Sequence, residues 1–357
     1  MGTTTLLEGP VGRRLLRFVL PILAGNILQQ LYNSIDAMII GRFVGEVALG
    51  AIGASQPIAN IVLALVIGLG IGMEILLGVY IGQRDEKSAK QVVDTMFTAV
   101  MALAVVMAVV GYFATPYMLQ AMNTQPQHME QASAYLRIIF LGLPGITGYN
   151  TMTGAIRASG DSRAPLMFLA ICSVVNLVLD LWTVQGLGMG VEGAAWATIV
   201  AQMLSFILSL IYANRRPHGL HYNVRNLDLS WKILLRGMSC AIPASIQQCA
   251  TSLGTLLLQT VVNGLGGAAV TAYTIGCRID AFAAAPIINI GQALTIFSSQ
   301  NLGAGQKGRV KEAKRYCLLW AYCIGGILLV LLWGFGGDMA RFFGASGETV
   351  NMAWDYV

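Results

Sequence analysis

Charged side chains are scarce in this 357-residue chain, where Asp, Glu, Lys and Arg together make up only 11% of the residues. Roughly a quarter of the residues in an average soluble domain are charged, because its surface must face water. Apolar residues account for 56% of the chain, and its mean hydropathy is +0.67. The composition therefore excludes an ordinary soluble protein and predicts an all-α polytopic membrane protein.

Several kinds of chemistry also lack a sequence signature. No G-x-x-x-x-G-K-[ST] loop is present, so ATP hydrolysis is not supported. The three histidines lie in loops without a catalytic partner pattern, and no Ser/His/Asp arrangement stands out. The six cysteines have no metal-ligand spacing and are typical of free packing residues. We predict no enzyme activity, no cofactor, no nucleic-acid partner and no metal site except one for Na⁺.

Apolar runs of membrane-crossing length occur nine times in the sequence. They lie near 15–41, 50–80, 92–115, 131–156, 164–186, 193–213, 233–263, 268–300 and 312–335, and a tenth begins near 347. Gly, Pro and Asp clusters separate the runs, as expected of turns. The sequence therefore predicts nine complete spans and part of a tenth.

Lys and Arg concentrate on one side of these spans. The rich side carries Arg13, Arg14, Arg17, Arg84, Lys87, Lys90, Arg157, Arg163, Arg215, Arg216, Arg225, Lys232, Arg236, Lys307, Arg309, Lys311, Lys314 and Arg315. The other side has little beyond Arg42, Arg137 and Arg341. Because cytoplasmic loops carry the excess of Lys and Arg, we expect a cytoplasmic N-terminus in a bacterial cytoplasmic membrane.

The two halves of the chain resemble each other. LPILAGNILQQL matches AIPASIQQCATSL with Pro21 on Pro243, and GQRDEKSAKQ at Gly82 parallels GAGQKGRVKEAKR at Gly303, with offsets near 221–224. Six spans per repeat is an even number, so both halves would share one orientation about a pseudo-two-fold axis along the membrane normal. We predict a six-helix N-lobe over 1–213, an inter-lobe linker over 214–232 and a C-lobe over 233–357.

The repeat also predicts an incomplete second lobe. AWDYV with Tyr356 matches ASAYLRI with Tyr135, which leaves no counterpart of roughly residues 136–213. We therefore expect the sequence to be truncated at its C-terminus, with about nine to ten of twelve spans present.

An acid lies within the apolar stretch Cys172–Asp180 (CSVVNLVLD). Asn176 and Asp180 are four residues apart, which places them one turn apart on one helix face. A carboxylate in a membrane span is costly unless it faces a partner or water, so it is a functional-site hypothesis by default. Asp180 is therefore the first candidate for a coupling residue.

A second acid, Asp36, occurs in the first span one turn after Tyr32. Pro21 precedes it by about four turns and is expected to kink that helix. Polar side chains as dense as Gln29 and Asn33 must face a bundle interior or a water-filled cavity. The alternative is that Asp36 is only a helix-end residue near the outer surface.

Thr198 on the sixth span follows small residues that let this helix approach its neighbours closely. An amide, a hydroxyl and two carboxylates favour a site for a proton or Na⁺, since Ca²⁺ and Mg²⁺ require more oxygen ligands. The alternative for Thr198 is a simple interhelical hydrogen bond. Two further acids, Glu74 and Asp94, lie near the Lys- and Arg-rich ends of their spans, where we expect them to reach the surface.

Taken together, these segments resemble the multidrug and toxic compound extrusion (MATE) transporters. The resemblance covers essentially the whole chain and rests on YNSIDAMIIG with the preceding Pro21, NLVLD followed by GVEGAAWAT, and SQNLGAG. It implies two six-helix lobes and a monomer that exports organic cations, drugs or toxic metabolites in exchange for H⁺ or Na⁺ by alternating access. Its partners would be these small molecules and membrane lipid.

The resemblance also implies roles for particular residues. It assigns the cation or proton site to Asp36, Asn176, Asp180 and Thr198, and accessory or gating roles to Pro21, Tyr32 and Tyr135. Gln29, Asn33, Gln247 and Gln248 are expected in the substrate cleft. The seventh span has no acid, in contrast to some family members, so coupling in the N-lobe is favoured and the choice between H⁺ and Na⁺ stays open. The alternative function is a lipid-linked precursor flippase, which would favour a cationic cavity.

Overall fold

The computed structural model describes residues 6–122, 124–215, 220–264, 267–342 and 350, and this part of the chain is helical and without strands. The helices are α1 (Val11–Phe43), α2 (Glu46–Gly82), α3 (Glu86–Val92), α4 (Thr98–Ala121), α5 (Pro126–Ala158), α6 (Arg163–Asp180), α7 (Gly190–Asn214), α8 (Trp231–Asn263), α9 (Gly267–Gly303) and α10 (Lys307–Phe342). Each of the nine predicted spans falls on a helix, while the predicted tenth, near 347, lies largely outside the described residues.

Seven helical stretches in the described part of the chain are long and apolar enough to cross a membrane. They are Val11–Phe43, Ser55–Gly82, Glu86–Ala121, Arg163–Gly186, Gly190–Asn214, Ala269–Gly303 and Lys307–Phe335. The other two predicted spans, α5 and α8, have the same 33-residue length as α1. Polar side chains along them lower their hydropathy. The protein is an all-α, multi-pass integral membrane protein.

In the described part of the chain, two π-helical turns continue directly from α-helices. Val93–Phe97 joins α3 to α4, and Leu181–Gly186 extends α6 directly after Asp180. Such turns add one residue to a helical turn and are frequent at functional sites. Pro21 lies inside α1, which continues through it as one helix from Val11 to Phe43.

One end of the bundle gathers the segment before α1 and the loops after α2, α5, α7 and α9. We call it the basic end and define it by residues 6–10, 83–85, 159–162, 220–230 and 304–306. At this end Asp85 caps α3 by accepting a hydrogen bond from the backbone N–H of Ser88 at 3.0 Å. The side chain of Ser88 first, and then this backbone bond, lower the pKa of the Asp85 carboxyl.

The segment before α8 is attached to the first half of the chain. Oδ2 of Asp94 accepts from the backbone N–H of Asp228 at 3.0 Å, and Oγ1 of Thr95 accepts from the backbone N–H of Ser230 at 3.0 Å. Nζ of Lys90 lies 2.5 Å from the same Asp94 oxygen. Two side chains around the first π-helical turn thus hold the chain just before it enters α8.

The expectation that Glu74 and Asp94 reach the surface is wrong. Glu74 is only 3% exposed and Asp94 is 0% exposed. Oε1 of Glu74 pairs with Nε of Arg157 on α5 at 3.0 Å. Asp94 forms a salt bridge with Lys90 and accepts a hydrogen bond from the backbone N–H of Asp228. These partners offset the cost of burying the carboxylates, so neither side chain needs to extend to water.

Candidate functional site

The candidate site lies where α1 packs on α6 and α6 packs on α7. Asp36 comes from α1, Asn176 and Asp180 from α6, and Thr198 from α7. Asn176 and Asp180 are each 1% exposed, whereas Val178 between them is 60% exposed. The four-residue spacing read from the sequence therefore places both polar groups on the buried face of α6.

The carboxyl groups of Asp36 and Asp180 lie close enough to interact directly. One oxygen of each group, Oδ1 in both cases, is buried and has no protein partner. Two carboxylates this close repel each other strongly unless a proton or a cation lies between them. The pair can therefore bind one positive charge and retain it through oxygen atoms that the protein leaves unoccupied.

Asn176 links the acid pair to α7. In the amide orientation that satisfies both ends, Asn176 donates to Oδ2 of Asp180 at 2.8 Å and accepts from the backbone N–H of Thr198 at 3.2 Å. The amide also lies 3.4 Å from Oγ1 of Thr198. Asn176 thus fixes the position of the Asp180 carboxyl, since a buried amide with two partners has little freedom to rotate.

Two tyrosines complete the surroundings of the acids. Tyr32 is buried on α1, and its hydroxyl lies beside Thr198. Tyr135 on α5 lies close enough to interact electrostatically with both Asp36 and Asp180. Four helices, α1, α5, α6 and α7, therefore contribute side chains to one polar cluster inside the first half of the chain. We call Asp36, Asp180, Asn176, Thr198, Tyr32 and Tyr135 the acid cluster.

The other predicted site residues lie outside the acid cluster. Pro21 is fifteen residues before Asp36 on α1. Gln29 donates to Asn33 at 3.2 Å along the same helix, where Asn33 is exposed. Gln247 is exposed and Gln248 half-buried on α8, in the second half of the chain. The described residues hold no group of three or more His, Cys, Asp or Glu side chains that could bind a metal ion.

Two further features of the structure were not predicted from the sequence. The π-helical turn Leu181–Gly186 starts at the residue after Asp180, and it differs from an α-helix by only one residue per turn. The side chains of Asn26 on α1 and Asn289 on α9 are hydrogen-bonded across 263 positions of sequence. Separate asparagines in two apolar spans do not identify each other as partners.

A protein-family model, MatE, matches residues 21–182 and 243–357 of this chain. The chain belongs to the MatE family. Transporters of this family are not enzymes and need no cofactor.

Relatives of this MatE protein are named as multidrug resistance, multidrug export or FAD transport proteins. A probable multidrug resistance protein, YoeA of Bacillus subtilis, is 29% identical over 350 residues, which are 96% of this chain and 76% of the relative. A FAD transporter of Shewanella oneidensis is 25% identical over 360 residues, 99% of this chain and 78% of the relative. Family membership and these relatives support a transporter for small-molecule efflux.

Solved structures show the same fold. One is described as the outward-facing conformation of a multidrug resistance MATE family transporter of the MOP superfamily. It matches this MatE protein with a TM-score of 0.91 at 24% identity, over 99% of this chain and 79% of that one. A MOP superfamily transporter from Pyrococcus furiosus Vc1 matches with a TM-score of 0.88 at 24% identity, over 100% and 79% of the two chains.

Proposed function

We propose that this protein is a cation-coupled antiporter that exports organic cations, drugs or toxic metabolites by alternating access. The observation that carries the proposal is the carboxyl pair of Asp36 and Asp180, each with a buried oxygen that has no protein partner. A membrane protein that needs only packing would not place two acids together in apolar surroundings, where one uncompensated charge costs several kcal/mol. A pair that binds and releases one positive charge explains their position.

The coupling ion is H⁺ or Na⁺. Either ion would reduce the net negative charge on the Asp36–Asp180 pair and so remove the repulsion between α1 and α6. Since Pro21 interrupts the hydrogen bonds of α1, that helix is the element most easily bent when the repulsion changes. An ion can shift the transporter between two states only if it binds them with different affinity, and the changing distance between α1 and α6 supplies that difference.

The charge pattern supports an orientation. Most of the Lys and Arg lie in the segments of the basic end or in the helix ends beside them, so we place this end and the N-terminus in the cytoplasm of a bacterial cell, with the protein in the cytoplasmic membrane. The N-lobe spans 1–213, the linker 214–232 and the C-lobe 233–357, and the monomer is the transporting unit. The acid cluster then lies entirely within the N-lobe.

The substrate would bind between the lobes, at Gln29 and Asn33 of α1 and Gln247 and Gln248 of α8. These side chains are neutral and polar, so the acids of the first half supply the charge that favours a cationic substrate. One relative is named as a FAD transporter, and FAD is anionic. A substrate panel for this protein should therefore contain organic cations and one flavin nucleotide.

The test is transport in proteoliposomes. Purified protein is reconstituted into liposomes that are loaded with a fluorescent organic cation. Efflux of the cation is then followed after one of two gradients is imposed, either a pH gradient without Na⁺ or a Na⁺ gradient at equal pH. We expect one of the two gradients to drive efflux by the unmodified protein. Asp36→Asn and Asp180→Asn keep the side-chain shape but remove one charge, and each should abolish the response to the gradient at matched protein levels.

Asp280→Asn is the matched control, because Asp280 is an exposed acid on α9 and the substitution is the same. It should respond to the gradient as the unmodified protein does. Gradient-driven efflux at the unmodified rate in both Asp36→Asn and Asp180→Asn would refute coupling at the acid cluster. If Asp280→Asn alone fails, the coupling site lies in the second half.

A further inference from the structure

Helices α2 and α9 touch at the basic end through residues with almost no side chain. A Cβ atom added to Gly78 would lie 2.1 Å from Oγ of Ser299 and 3.0 Å from its Cβ. Real Cβ atoms do not approach other atoms within 3.0 Å unless something moves. The two helices therefore approach as closely as they do only because position 78 is glycine.

The contact is reciprocal. A Cβ on Gly82 would lie 2.0 Å from the backbone oxygen of Gln300, and a Cβ on Gly303 would lie 2.0 Å from the backbone oxygen of Val79. In the sequence Gly82 precedes Gly303 by 221 residues, and Val79 precedes Gln300 by the same number. Each helix thus presents the same pair of positions to the other.

Gly78 and Ser299 are also 221 residues apart, so these two equivalent positions contact each other directly. A contact between equivalent positions, with reciprocal contacts beside it, is the pattern of an isologous interface on a two-fold axis. We call these three pairs the α2–α9 crossing. Because the offset of 221 is that of the sequence repeat, the crossing lies where the axis relating the two halves would pass.

Neighbouring contacts close the same end of the bundle. A Cβ on Gly72 of α2 would lie 2.4 Å from Cβ of Ala241 on α8, and Nε2 of Gln300 donates to the backbone oxygen of Ala158 at 2.6 Å. Farther from this end, a Cβ on Gly68 of α2 would lie 2.2 Å from the backbone Cα of Ser245 on α8. The backbones of the two halves are therefore in close contact along α2 from Gly68 to the basic end.

We propose that the α2–α9 crossing is the gate that closes the transport pathway at the basic end and separates once in each cycle. The inference rests on the proposed function, since a pathway that alternates between two sides must open where the halves are here in contact. The crossing is formed by glycine backbone and the small side chain of Ser299, with the hydrogen bond from Gln300 to Ala158 beside it. The gate can therefore open by rigid separation of the two helices once that hydrogen bond breaks.

The first test fixes the crossing covalently. In a variant whose six native cysteines are replaced by Ala, Gly78→Cys and Ser299→Cys are combined, because the Cβ–Cβ distance of 3.0 Å needs only a small separation of the helices to reach the roughly 3.5–4.5 Å of a disulfide. Oxidation should form the disulfide and reduce gradient-driven efflux to that of empty liposomes, and reduction should restore it. Efflux that continues after complete cross-linking would overturn the gate.

A second pair controls for the disulfide itself. A Cβ on Gly193 would lie 3.1 Å from Cβ of Thr183, and both residues belong to the first half of the chain. Gly193→Cys with Thr183→Cys should cross-link equally well and keep its efflux. Before oxidation, the cysteine-replaced protein must respond to the ion gradient. If it is inactive while the unmodified protein is active, the replacements are at fault; if both are inactive, the proposed function fails and the gate is not needed.

The second test exchanges the two side chains without a disulfide. Gly78→Ser alone places a second hydroxymethyl group in an occupied space and should reduce efflux, whereas Gly78→Ser combined with Ser299→Gly should restore it. Restoration would show that the crossing, and not glycine at 78, is required. Equal efflux by the single variant and the exchange variant would refute close contact as the basis of the gate.

Discussion

Asn26 of α1 donates a side-chain hydrogen bond to Asn289 of α9, and Asn289 in turn donates to the backbone oxygen of Ala285 at 2.7 Å. Asn289 is fully buried. Asn26 follows Pro21 by five residues and precedes Asp36 by ten. The helix that carries one acid is therefore bonded to the second half of the chain between its proline and that acid.

This bond should be measurable in a double-mutant cycle. We expect Asn26→Ala and Asn289→Ala to be less than additive in the free energy of unfolding, with a coupling of about 0.6 kcal/mol and at most about 2 kcal/mol, the range found for hydrogen bonds between membrane helices. The measurement is unfolding in mixed micelles with increasing SDS. Strict additivity would show that the two amides do not depend on each other.

The buried pair of Glu74 and Arg157 should be asymmetric in its response to substitution. Arg157→Ala leaves an unpaired carboxylate that is almost completely buried, and we expect it to lower the free energy of unfolding by about 3 kcal/mol. Glu74→Leu combined with Arg157→Leu should recover most of that loss, since no charge remains to be desolvated.

The matched control for this pair is Arg84→Ala. Arg84 and Glu8 are 3.8 Å apart, but their side chains are 79% and 70% exposed. Its effect should stay below about 1 kcal/mol. If Arg157→Ala costs no more than Arg84→Ala under the same SDS titration, Glu74 is not held by a pairing with Arg157.

Asp94 should limit how fast a protease cleaves the linker before α8. Asp94→Leu removes the acceptor for the backbone N–H of Asp228, one of several hydrogen bonds that attach the chain before α8 to the first half. We expect faster trypsin cleavage at Arg225, which is exposed in that segment. Gradient coupling by Asp94→Asn should change far less than with Asp36→Asn. The control is Lys311→Ala, an exposed change on α10, and cleavage at Arg225 no faster than in that control would contradict the role of Asp94.

Asn176 should set the affinity of the acid cluster for its ion. Asn176→Ala removes the donor to Asp180 and the acceptor for Thr198. A hydrogen bond to a charged group contributes about 1.5–3 kcal/mol, so we expect the ion concentration for half-maximal efflux to shift by roughly tenfold or more. Asn60→Ala on α2 removes an exposed amide bonded to Gln56 at 3.0 Å and should leave that concentration unchanged. A shift of the same size in both variants would mean that Asn176 acts only through stability.

The sequence predicted the helices and the buried face of α6 because both follow from local rules. Apolar length identifies a span, and the four-residue spacing of Asn176 and Asp180 determines that they share a face. It could not place Asp94, whose partner Asp228 lies 134 residues away in a polar segment. A carboxylate near a span end looks the same in sequence whether it reaches water or is covered by a distant loop.

The contact between the two halves could be predicted only in part from the sequence. The repeat offset pairs position 78 with position 299, but it does not state that equivalent positions touch. That depends on where the axis passes through the folded protein, which is set by packing of α1, α2, α8 and α9 together. Likewise, Asp36 and Asp180 could be proposed as partners, but their proximity depends on how α1 crosses α6.

Gly78 and Ser299 are the same position of two repeats and share one small space, which has room for a single hydroxymethyl group. Two serines would collide there, while two glycines would leave a gap. Divergence between the halves at this position is therefore a steric requirement and not neutral drift after a duplication. Among homologous chains, the combined volume of the side chains at positions 78 and 299 should vary less than the volume at either position alone. In an alignment, the constraint is therefore visible only when these two positions are compared with each other.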